Sequence, residues 1–534
     1  MRGEGIALCA LTALALGLRL TSLSRSLFTD EAYSFALAQR GFGHMLALFA
    51  YESNGTLYSV ALWPLVRIFG SGEALLRAPA VIAGVASVPA VWWAARGLAG
   101  ARAALVAAGL LAVNPMAVWY SQEARAYAFI VLACCLAFGA LARAVARADR
   151  NPHERGGGAG VSTPARGTRG VWIGYVAAMA ALAYCQLLAV PIVLPVQAMI
   201  ARRGGREGVR SWARSLIVLA LCCVPLLVIT VISRGRRNPL YWLPKPNRGL
   251  VELALQEFSG GFSGVNAVRW ITLLLGGALV AGAIWSLRRA GIASVGRTSE
   301  RPARWAAERA TLTIAAAWGL IPPVLLLVAS FVEPVFWPRY AIVALPGLCL
   351  LAALCAERLW QHRRAGIALA AALLAGIVLV AGFADERQVD ALQENWPPIA
   401  SWLRAERAPG EPIVVDNALV LASLGYYDPA FKARDGQLIV QEWHDQPLPD
   451  AFVGFKDRTG YGSFPDGPPS EALFSRLASG PRHSAWLIVS EVDNSLQADP
   501  KTGAAVAWAR RHCHVQVRES VGVWALHATG CSSS

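Results

Sequence analysis

The feature that most constrains this chain is a series of apolar segments, each about as long as a lipid bilayer is thick. A helix needs roughly 20 mostly apolar residues to cross the hydrocarbon core. The candidate spans are residues 5–23, 75–97, 101–120, 124–146, 171–186, 187–201, 213–233, 267–287, 309–331, 340–357 and 364–384. Only 16% of the residues are charged, against about 25% in an average soluble domain. The chain is therefore predicted to be a polytopic α-helical membrane protein with about eleven transmembrane helices.

Arginine residues concentrate in every second connection between these spans, for example in residues 143–169, 202–214, 288–304 and 358–364. Cytoplasmic loops carry an excess of Lys and Arg, so the alternation places the N-terminus in the cytoplasm and the C-terminal region outside. The net charge of +15 is thus mainly a topology signal, and we expect no nucleic-acid partner. Because the Ala-, Gly- and Arg-rich composition is typical of a GC-rich bacterial genome, we expect a multi-pass protein of the bacterial cytoplasmic (inner) membrane.

Two segments complicate this topology. Residues 56–70 are apolar but short, and counting them as a span would invert every later loop. We therefore expect an amphipathic helix at the outer interface, within a first outer loop of residues 24–74. The spans on either side of residues 184–186 are thin, and a single long helix there would move the C-terminal region to the cytosol.

The chain changes character after residue 384. Residues 385–534 are polar, contain frequent Pro and Gly, and hold short apolar runs such as 411–416 and 485–490. This pattern predicts a small extracytoplasmic α/β domain behind a transmembrane catalytic domain of residues 1–384. Cys513 and Cys531 lie in this outer part, where a disulfide bond and two free thiols are both compatible with the sequence.

The first candidate site lies just beyond the first span, at Asp30 and Glu31, with Tyr33 following. Adjacent carboxylates near lipid are costly and usually face a cavity or a functional site. Partial burial would raise the pKa of one carboxyl group, as a general base acting on a hydroxyl requires. Alternatively, Asp30 simply caps the helix that follows it, and these residues alone do not separate the two interpretations.

A second candidate site follows the third span on the same predicted side of the membrane. Glu123 and Arg125 lie here between Tyr120 and Tyr127. The alternative is an interfacial ion pair within a belt of aromatic residues.

A third candidate site is the outer connection 234–266, which is unusually basic for its side of the membrane. Arginine binds phosphate in a bidentate manner, so these cations suit a phosphate group, or else anionic lipid head groups in general. Arg339 and Tyr340 lie at the outer mouth of a later helix. The basic residues of the connection are Arg234, Arg236, Arg237 and Lys245.

Four motifs occur in order along the predicted membrane part: Asp30-Glu31, Gly55-Thr56-Leu57-Tyr58, Leu76-Arg77-Ala78-Pro79 after Phe69-Gly70, and Ser121 to Tyr127. Together with Arg339-Tyr340 and Pro346, they resemble the bacterial relatives of protein O-mannosyltransferases. These are GT-C class, family 39-like integral-membrane glycosyltransferases, which include the aminoarabinose transferases that modify lipid A. The resemblance covers about residues 1–385.

This resemblance implies a hexosyl- or pentosyltransferase that uses a polyprenyl-phosphate-sugar donor and inverts the anomeric carbon. The acceptor would be an extracytoplasmic glycan, lipid or protein. Asp30 matches the catalytic aspartate and Glu31 its acidic neighbour, while Arg125 matches a basic residue of the second outer loop. We expect Asp30 and Glu31 to be the catalytic residues, and Tyr33, Glu123 and Tyr127 to position the acceptor. The expected ligands of the donor phosphate are Arg125, Arg234, Arg236, Arg237, Lys245, Arg339 and Tyr340.

The chain departs from the family in one respect that concerns metal binding. Many relatives carry His-Pro-Pro in the first loop, where this chain has Ser53-Asn54-Gly55. Glu52 is the remaining candidate ligand, so a divalent metal is a possibility rather than an expectation.

Two other kinds of function compete with a transferase. A transporter or lipid-linked-sugar flippase would spread ionisable residues through the midplane and often shows internal repeats, whereas here these residues gather on one side. A non-catalytic scaffold gives no reason for Asp30, Glu123 and the basic connection to share that side.

Overall fold

A computed structural model of the chain describes residues 2–49, 55–150, 166–236, 243–260, 301–361, 394–415, 419–428, 439–441, 471–490 and 500–532. Up to residue 361, these residues are almost entirely helical. The helices are α1 (Arg2–Arg19), α2 (Thr29–Ala38), α3 (Phe42–Leu48), α4 (Thr56–Phe69), α5 (Glu73–Ala99), α6 (Ala101–Val113), α7 (Pro115–Trp119), α8 (Tyr127–Arg150), α9 (Arg166–Cys185), α10 (Ala189–Arg202), α11 (Gly205–Arg236), α12 (Arg248–Gly260), α13 (Arg301–Ala329) and α14 (Leu345–Gln361), with a 3-10 turn at Pro338–Ala344 before α14.

Five of the described helical segments are long and apolar enough to cross a membrane. They are Glu73–Ala99, Tyr127–Arg147, Gly205–Ile232, Glu308–Ala329 and Pro338–Glu357. In α11, large apolar side chains such as Leu221 and Val231 are 67% and 72% exposed. Exposed apolar surface of this kind is unfavourable in water and matches the hydrocarbon of a bilayer, so these helices indicate a membrane-embedded protein.

Close helix packing depends on small residues at one crossing. Where α13 meets α14, a Cβ atom added at Gly347 would lie 2.6 Å from the backbone nitrogen of Gly319. Beside this crossing, the ring of Phe138 stacks on the buried Trp318 with centroids 3.9 Å apart. Because lipid tails are as apolar as the side chains, van der Waals packing of this kind holds membrane helices together.

The two ambiguous segments of the sequence are both helical. Within residues 56–70, α4 runs from Thr56 to Phe69, and its last residues Ile68 and Phe69 are highly exposed. The place of α4 at the membrane interface stays a prediction. The chain turns between Cys185 and Ala189, so α9 and α10 are separate helices. The total of about eleven spans also stays a prediction, because candidate spans 267–287 and 364–384 lie outside the described residues.

The described residues from 394 to 532 contain a five-stranded sheet, and we refer to them as the C-terminal α/β unit. Its elements are α15 (Pro397–Glu406), β1 (Ile413–Val415), α16 (Leu419–Tyr427), β2 (Ile439–Gln441), α17 (Glu471–Ala478), β3 (Ser484–Ser490), α18 (Pro500–His512), β4 (His514–Ser520) and β5 (Val523–Thr529). The strand order is β2-β1-β3-β5-β4. Strand β1 pairs in parallel with β2 and β3, whereas β5 pairs antiparallel with β3 and β4.

The central strand β3 is buried along its whole length, because helices cover both faces of the sheet. Phe474 of α17 and Trp508 of α18 pack on one face, and Trp402 and Leu424 pack on the other. Cys513 and Cys531 form a disulfide bond with their Cα atoms 4.2 Å apart. Of the two alternatives compatible with the sequence, a disulfide bond and two free thiols, the structure has the disulfide bond.

Candidate active site

The segment that follows α1 leads into α2, which carries both acidic residues of the first motif. The helix begins at Thr29 after the N-cap residue Phe28, so Asp30 lies inside its first turn and is not the cap. Instead, Glu31 accepts the backbone N–H of Phe28 at 3.0 Å. A carboxylate at this position satisfies one of the amide donors that a helix start leaves without an intrahelical partner. The capping role considered for Asp30 therefore belongs to Glu31.

Glu31 forms a buried ion pair with Arg77 of α5. The Nη2 and Nε atoms of Arg77 lie 2.6 and 2.8 Å from the two carboxylate oxygens, and both side chains have no exposed surface. The backbone N–H of Ala124 donates to the same carboxylate at 2.7 Å. Burial opposes ionisation of Glu31, but the adjacent Arg77 guanidinium outweighs it and holds the pKa of this carboxyl group below its usual range.

Arg77 also binds the backbone that precedes α2. Its Nη1 atom donates to the carbonyls of Leu23 and Arg25 at 2.8 Å, and Nη2 donates to that of Ser26 at 3.1 Å. One guanidinium thus joins α5, the loop and α2, so that it sets where Asp30 lies. Arg77 belongs to one of the sequence motifs, but the sequence indicates no role for it. Its partner 46 positions away becomes visible only in the folded chain.

Asp30 has a different environment from its neighbour. Its side chain is 18% exposed, and its Oδ2 atom lies 3.6 Å from Arg125 and 3.8 Å from Arg339. These are ion-pair distances that exceed those of good hydrogen bonds. The side chains of Arg125 and Arg339 are 23% and 20% exposed. The structure therefore brings together an accessible carboxylate and two accessible cations from three separate segments.

Glu123 lies beside this cluster and is largely buried. It accepts the indole N–H of Trp119 at 2.7 Å, while Arg125 faces Asp30. The contacts therefore differ from the simple Glu123–Arg125 ion pair that was the alternative interpretation. Burial, reinforced by the negative charge of Glu31, raises the pKa of Glu123 to about 7, although Arg339 opposes the shift.

An aromatic wall completes this side of the cluster. The rings of Tyr120 and Tyr127 have centroids 4.8 Å apart, and the guanidinium of Arg339 lies 5.7 Å from the Tyr127 ring. The Tyr120 hydroxyl donates to the buried Glu257 of α12 at 3.2 Å. Burial raises the pKa of Glu257 to about 7. Sequence reasoning missed Glu257, whose only signal was that it is one of two acidic residues, with Glu252, in the mainly basic connection 234–266.

The remaining predicted residues lie in several places. Tyr33 is buried in α2, and Tyr340 is partly buried next to Arg339. Lys245 is exposed. Arg234 and Arg236 belong to the last turn of α11, whereas Arg237 and Glu52 lie outside the described residues. Within the described part of the chain, no group of three or more His, Cys, Asp or Glu residues is placed to hold a metal ion.

Comparisons with known proteins agree with this architecture at the level of fold. No family model matches the chain, and no curated protein matches it in sequence. Among solved structures, ArnT from Cupriavidus metallidurans in the apo state is similar, with a TM-score of 0.61 and 16% identity over 99% of this chain and 98% of that one. The same ArnT bound to undecaprenyl phosphate has a TM-score of 0.55 at 17% identity over 98% of each chain.

An archaeal protein shares the fold as well. The oligosaccharyltransferase AglB from Archaeoglobus fulgidus, in complex with an inhibitory peptide and a dolichol-phosphate, has a TM-score of 0.53 and 12% identity over 99% of this chain and 74% of that one. ArnT, a lipid A aminoarabinose transferase, and AglB are both GT-C glycosyltransferases. The chain therefore has the fold of this class, and the resemblance drawn from its sequence motifs is confirmed at that level.

Proposed function

We propose that this protein is an integral-membrane glycosyltransferase that moves a sugar from a polyprenyl-phosphate donor to an extracytoplasmic acceptor, with Asp30 as the general base. The observation that carries the proposal is the environment of Asp30, a partly exposed carboxylate with two guanidinium groups within 4 Å. A neighbour of the same fold has been solved with undecaprenyl phosphate bound, which supports a lipid-linked phosphate as the ligand of these cations.

The proposed reaction is a single inverting displacement. The acceptor hydroxyl oxygen forms a bond to the anomeric carbon while the bond from that carbon to the phosphate oxygen breaks. Asp30 takes the proton of the hydroxyl group, and the electron pair leaves with the polyprenyl phosphate. Arg125 and Arg339 stabilise the charge on this leaving group, which is the electrostatic task that preorganised cations perform best.

The other predicted residues bind or position the two substrates, or support the helix that carries Asp30. Glu123, Tyr33 and Tyr127 position the acceptor, and Tyr340 supports the donor side next to Arg339. Arg234, Arg236, Arg237 and Lys245 attract the donor phosphate to the outer surface. Glu31 acts through its ion pair with Arg77, which holds α2 in place. The reaction as written needs no metal ion.

We place the protein in the bacterial inner membrane, with a cytoplasmic N-terminus and about eleven spans. Residues 1–384 form the transmembrane catalytic domain and residues 385–534 an extracytoplasmic domain. This orientation predicts that cysteines introduced at Gly160 and Lys245 react with a membrane-impermeant thiol reagent from opposite sides of the membrane. Labelling of both positions from one side would contradict the shared outer side of the proposed site.

The decisive experiment uses the purified protein in nanodiscs. Radiolabelled polyprenyl-phosphate-mannose, -glucose and -arabinose are supplied with a membrane extract as the acceptor source, and wild type is compared with Asp30→Asn. Transfer from one donor that requires Asp30 would support the enzyme class and identify the sugar. If no donor is used or bound, a transporter or lipid-linked-sugar flippase becomes the better explanation.

A further inference from the structure

The C-terminal α/β unit contacts the backbone immediately before Asp30. The Glu394 carboxylate accepts the backbone N–H of Thr29 at 2.8 Å, and the Tyr427 hydroxyl accepts that of Leu27 at 2.6 Å. The Ser26 hydroxyl accepts the backbone N–H of Trp396 at 3.1 Å. Three successive contacts therefore hold the segment that leads into α2.

The contact at Thr29 lies at the N-terminus of α2, where a carboxylate stabilises a helix most. Thr29 is the first residue of α2, and its N–H is one of the donors that the helix itself leaves without a partner. Negative charge at a helix N-terminus is also favoured by the helix dipole. Because Asp30 is the next residue, an anchor at Thr29 determines the direction in which the first turn presents the Asp30 side chain.

The sheet of the C-terminal unit determines where Glu394 lies. The backbone N–H of Asn395 donates to Val521 in the β4–β5 turn at 2.8 Å, and the Ser520 hydroxyl donates to the Asn395 carbonyl at 2.7 Å. Gly522 has a φ of +65°, and a Cβ atom there would lie 3.1 Å from the Glu394 Cα atom. Glu394 also accepts the indole N–H of Trp396 at 2.9 Å. The backbone next to Glu394 is thus fixed by the β4–β5 turn, and its carboxylate is oriented by Trp396 as well as by Thr29.

Helix α16 makes a second connection to the same region. Tyr426 packs edge-on against Phe35 of α2 with ring centroids 5.0 Å apart, and its hydroxyl donates to the Ser71 carbonyl at 2.5 Å. Tyr427, the next residue, provides the acceptor for Leu27. The C-terminal α/β unit therefore contacts both the N-terminus and one side of α2, the helix that carries Asp30.

We infer that Glu394 and Tyr427 are positioning residues for the transfer reaction, so that the C-terminal α/β unit holds the general base in its reactive orientation. This inference rests on the proposed function of Asp30. Displacement of a catalytic group by about 1 Å can cost up to 100-fold in rate. Loss of the anchor should therefore reduce turnover while the donor site, built on Arg125 and Arg339, remains intact.

The test compares two buried carboxylates of the same unit. Glu394→Met removes the acceptor at similar size, whereas Glu394→Gln keeps an oxygen that can accept the Thr29 N–H. Glu411→Met is the matched control, because Glu411 is equally buried but its partners His527 and Trp486 lie inside the C-terminal unit. Tyr427→Phe removes only a hydroxyl group and serves as the mildest variant.

For Glu394→Met we expect kcat to fall about tenfold with the KM for donor unchanged. Hydrogen–deuterium exchange of peptides covering residues 27–35 should accelerate in this variant. Tyr427→Phe should show a smaller change in the same direction. Glu394→Gln should recover most of the turnover and protection, and Glu411→Met should leave both the kcat and the exchange of residues 27–35 as in wild type.

Two results would overturn the inference. The first is that Glu394→Met keeps the wild-type kcat and the wild-type exchange of residues 27–35. The second is that Glu411→Met loses as much kcat as Glu394→Met when the two variants have the same melting temperature. The exchange measurement needs no substrate. If the wild-type protein transfers no sugar, the proposed function fails, but the protection of residues 27–35 still decides whether Glu394 anchors α2.

Discussion

Two adjacent carboxylates on α2 differ in almost every physical respect. Glu31 has no exposed surface and is bound by Arg77 at 2.6 and 2.8 Å. Asp30 is 18% exposed and faces two cations at 3.6 and 3.8 Å. The first pair has the short geometry of a charge-assisted hydrogen bond, and the second pair leaves room for another ligand.

The difference separates a structural from a chemical use of the same functional group, a carboxylate. A buried ion pair gains little net stability over apolar residues, but removing one partner leaves an uncompensated charge and is strongly destabilising. An accessible carboxylate in loose contact with cations contributes little to folding and is free to meet a substrate. The stability of the fold should therefore depend on Glu31, and the reaction on Asp30.

The largest expected effect is on catalysis. Asp30→Asn should lower kcat by about 1,000-fold, which is within the range that a general base contributes, with no change in melting temperature. Steady-state transfer assays and thermal unfolding in the same detergent provide the two measurements. Turnover like that of wild type in Asp30→Asn would remove the general base from the mechanism.

The second prediction concerns stability. Arg77→Met should lower the free energy of unfolding by about 3–5 kcal/mol, because it leaves the Glu31 carboxylate buried without its cation. The double variant Glu31→Gln/Arg77→Met should be more stable than Arg77→Met alone, since the unpaired charge is gone. Chemical denaturation in detergent micelles measures both. Equal stability of the single and double variants would show that Glu31 does not depend on Arg77.

The third prediction tests the cations around Asp30. Arg339→Gln and Arg125→Gln should each reduce kcat/KM by roughly 10- to 100-fold, because each removes one charge from the departing phosphate. Lys245→Gln is the comparison, since Lys245 is exposed in the connection between α11 and α12, and it should change kcat/KM by about threefold at most. An equally large loss in Lys245→Gln would place the phosphate site in that connection instead.

The smallest effect should appear in the pH dependence. With its pKa raised to about 7, Glu123 is neutral below that pH and negatively charged above it. We expect the KM for donor to rise about threefold between pH 6 and 8, since the new charge repels the donor phosphate. The stability that the neutral group contributes is fully present below pH 4.5 and is lost as the pH rises through 7. Because the pKa of Glu257 is also raised to about 7, the rise in KM should shrink in Glu123→Gln and vanish in the double variant Glu123→Gln/Glu257→Gln.

The sequence predicted much of the candidate site, because four of its members lie where membrane helices begin or end. Asp30, Glu123, Arg125 and Arg339 were each recognised as charged residues at the mouth of an apolar segment, which is costly unless they have a function. Arg77, Glu257 and Glu394 were missed or given no role. Their partners are 46, 137 and 365 positions away, and no local pattern reveals contacts across such separations.

By itself the sequence determined the apolar helices, the polar C-terminal part and the GT-C-like order of motifs. These follow from hydropathy and residue type, which are local properties of the chain. Only the tertiary structure decided which of two neighbouring carboxylates is buried with Arg77 and which stays open beside Arg125. The choice depends on how α2 packs against α4 and against α16 of the C-terminal α/β unit, and on Arg77, which reaches Glu31 from α5. Burial and charge pairing are set by distant residues that meet on folding.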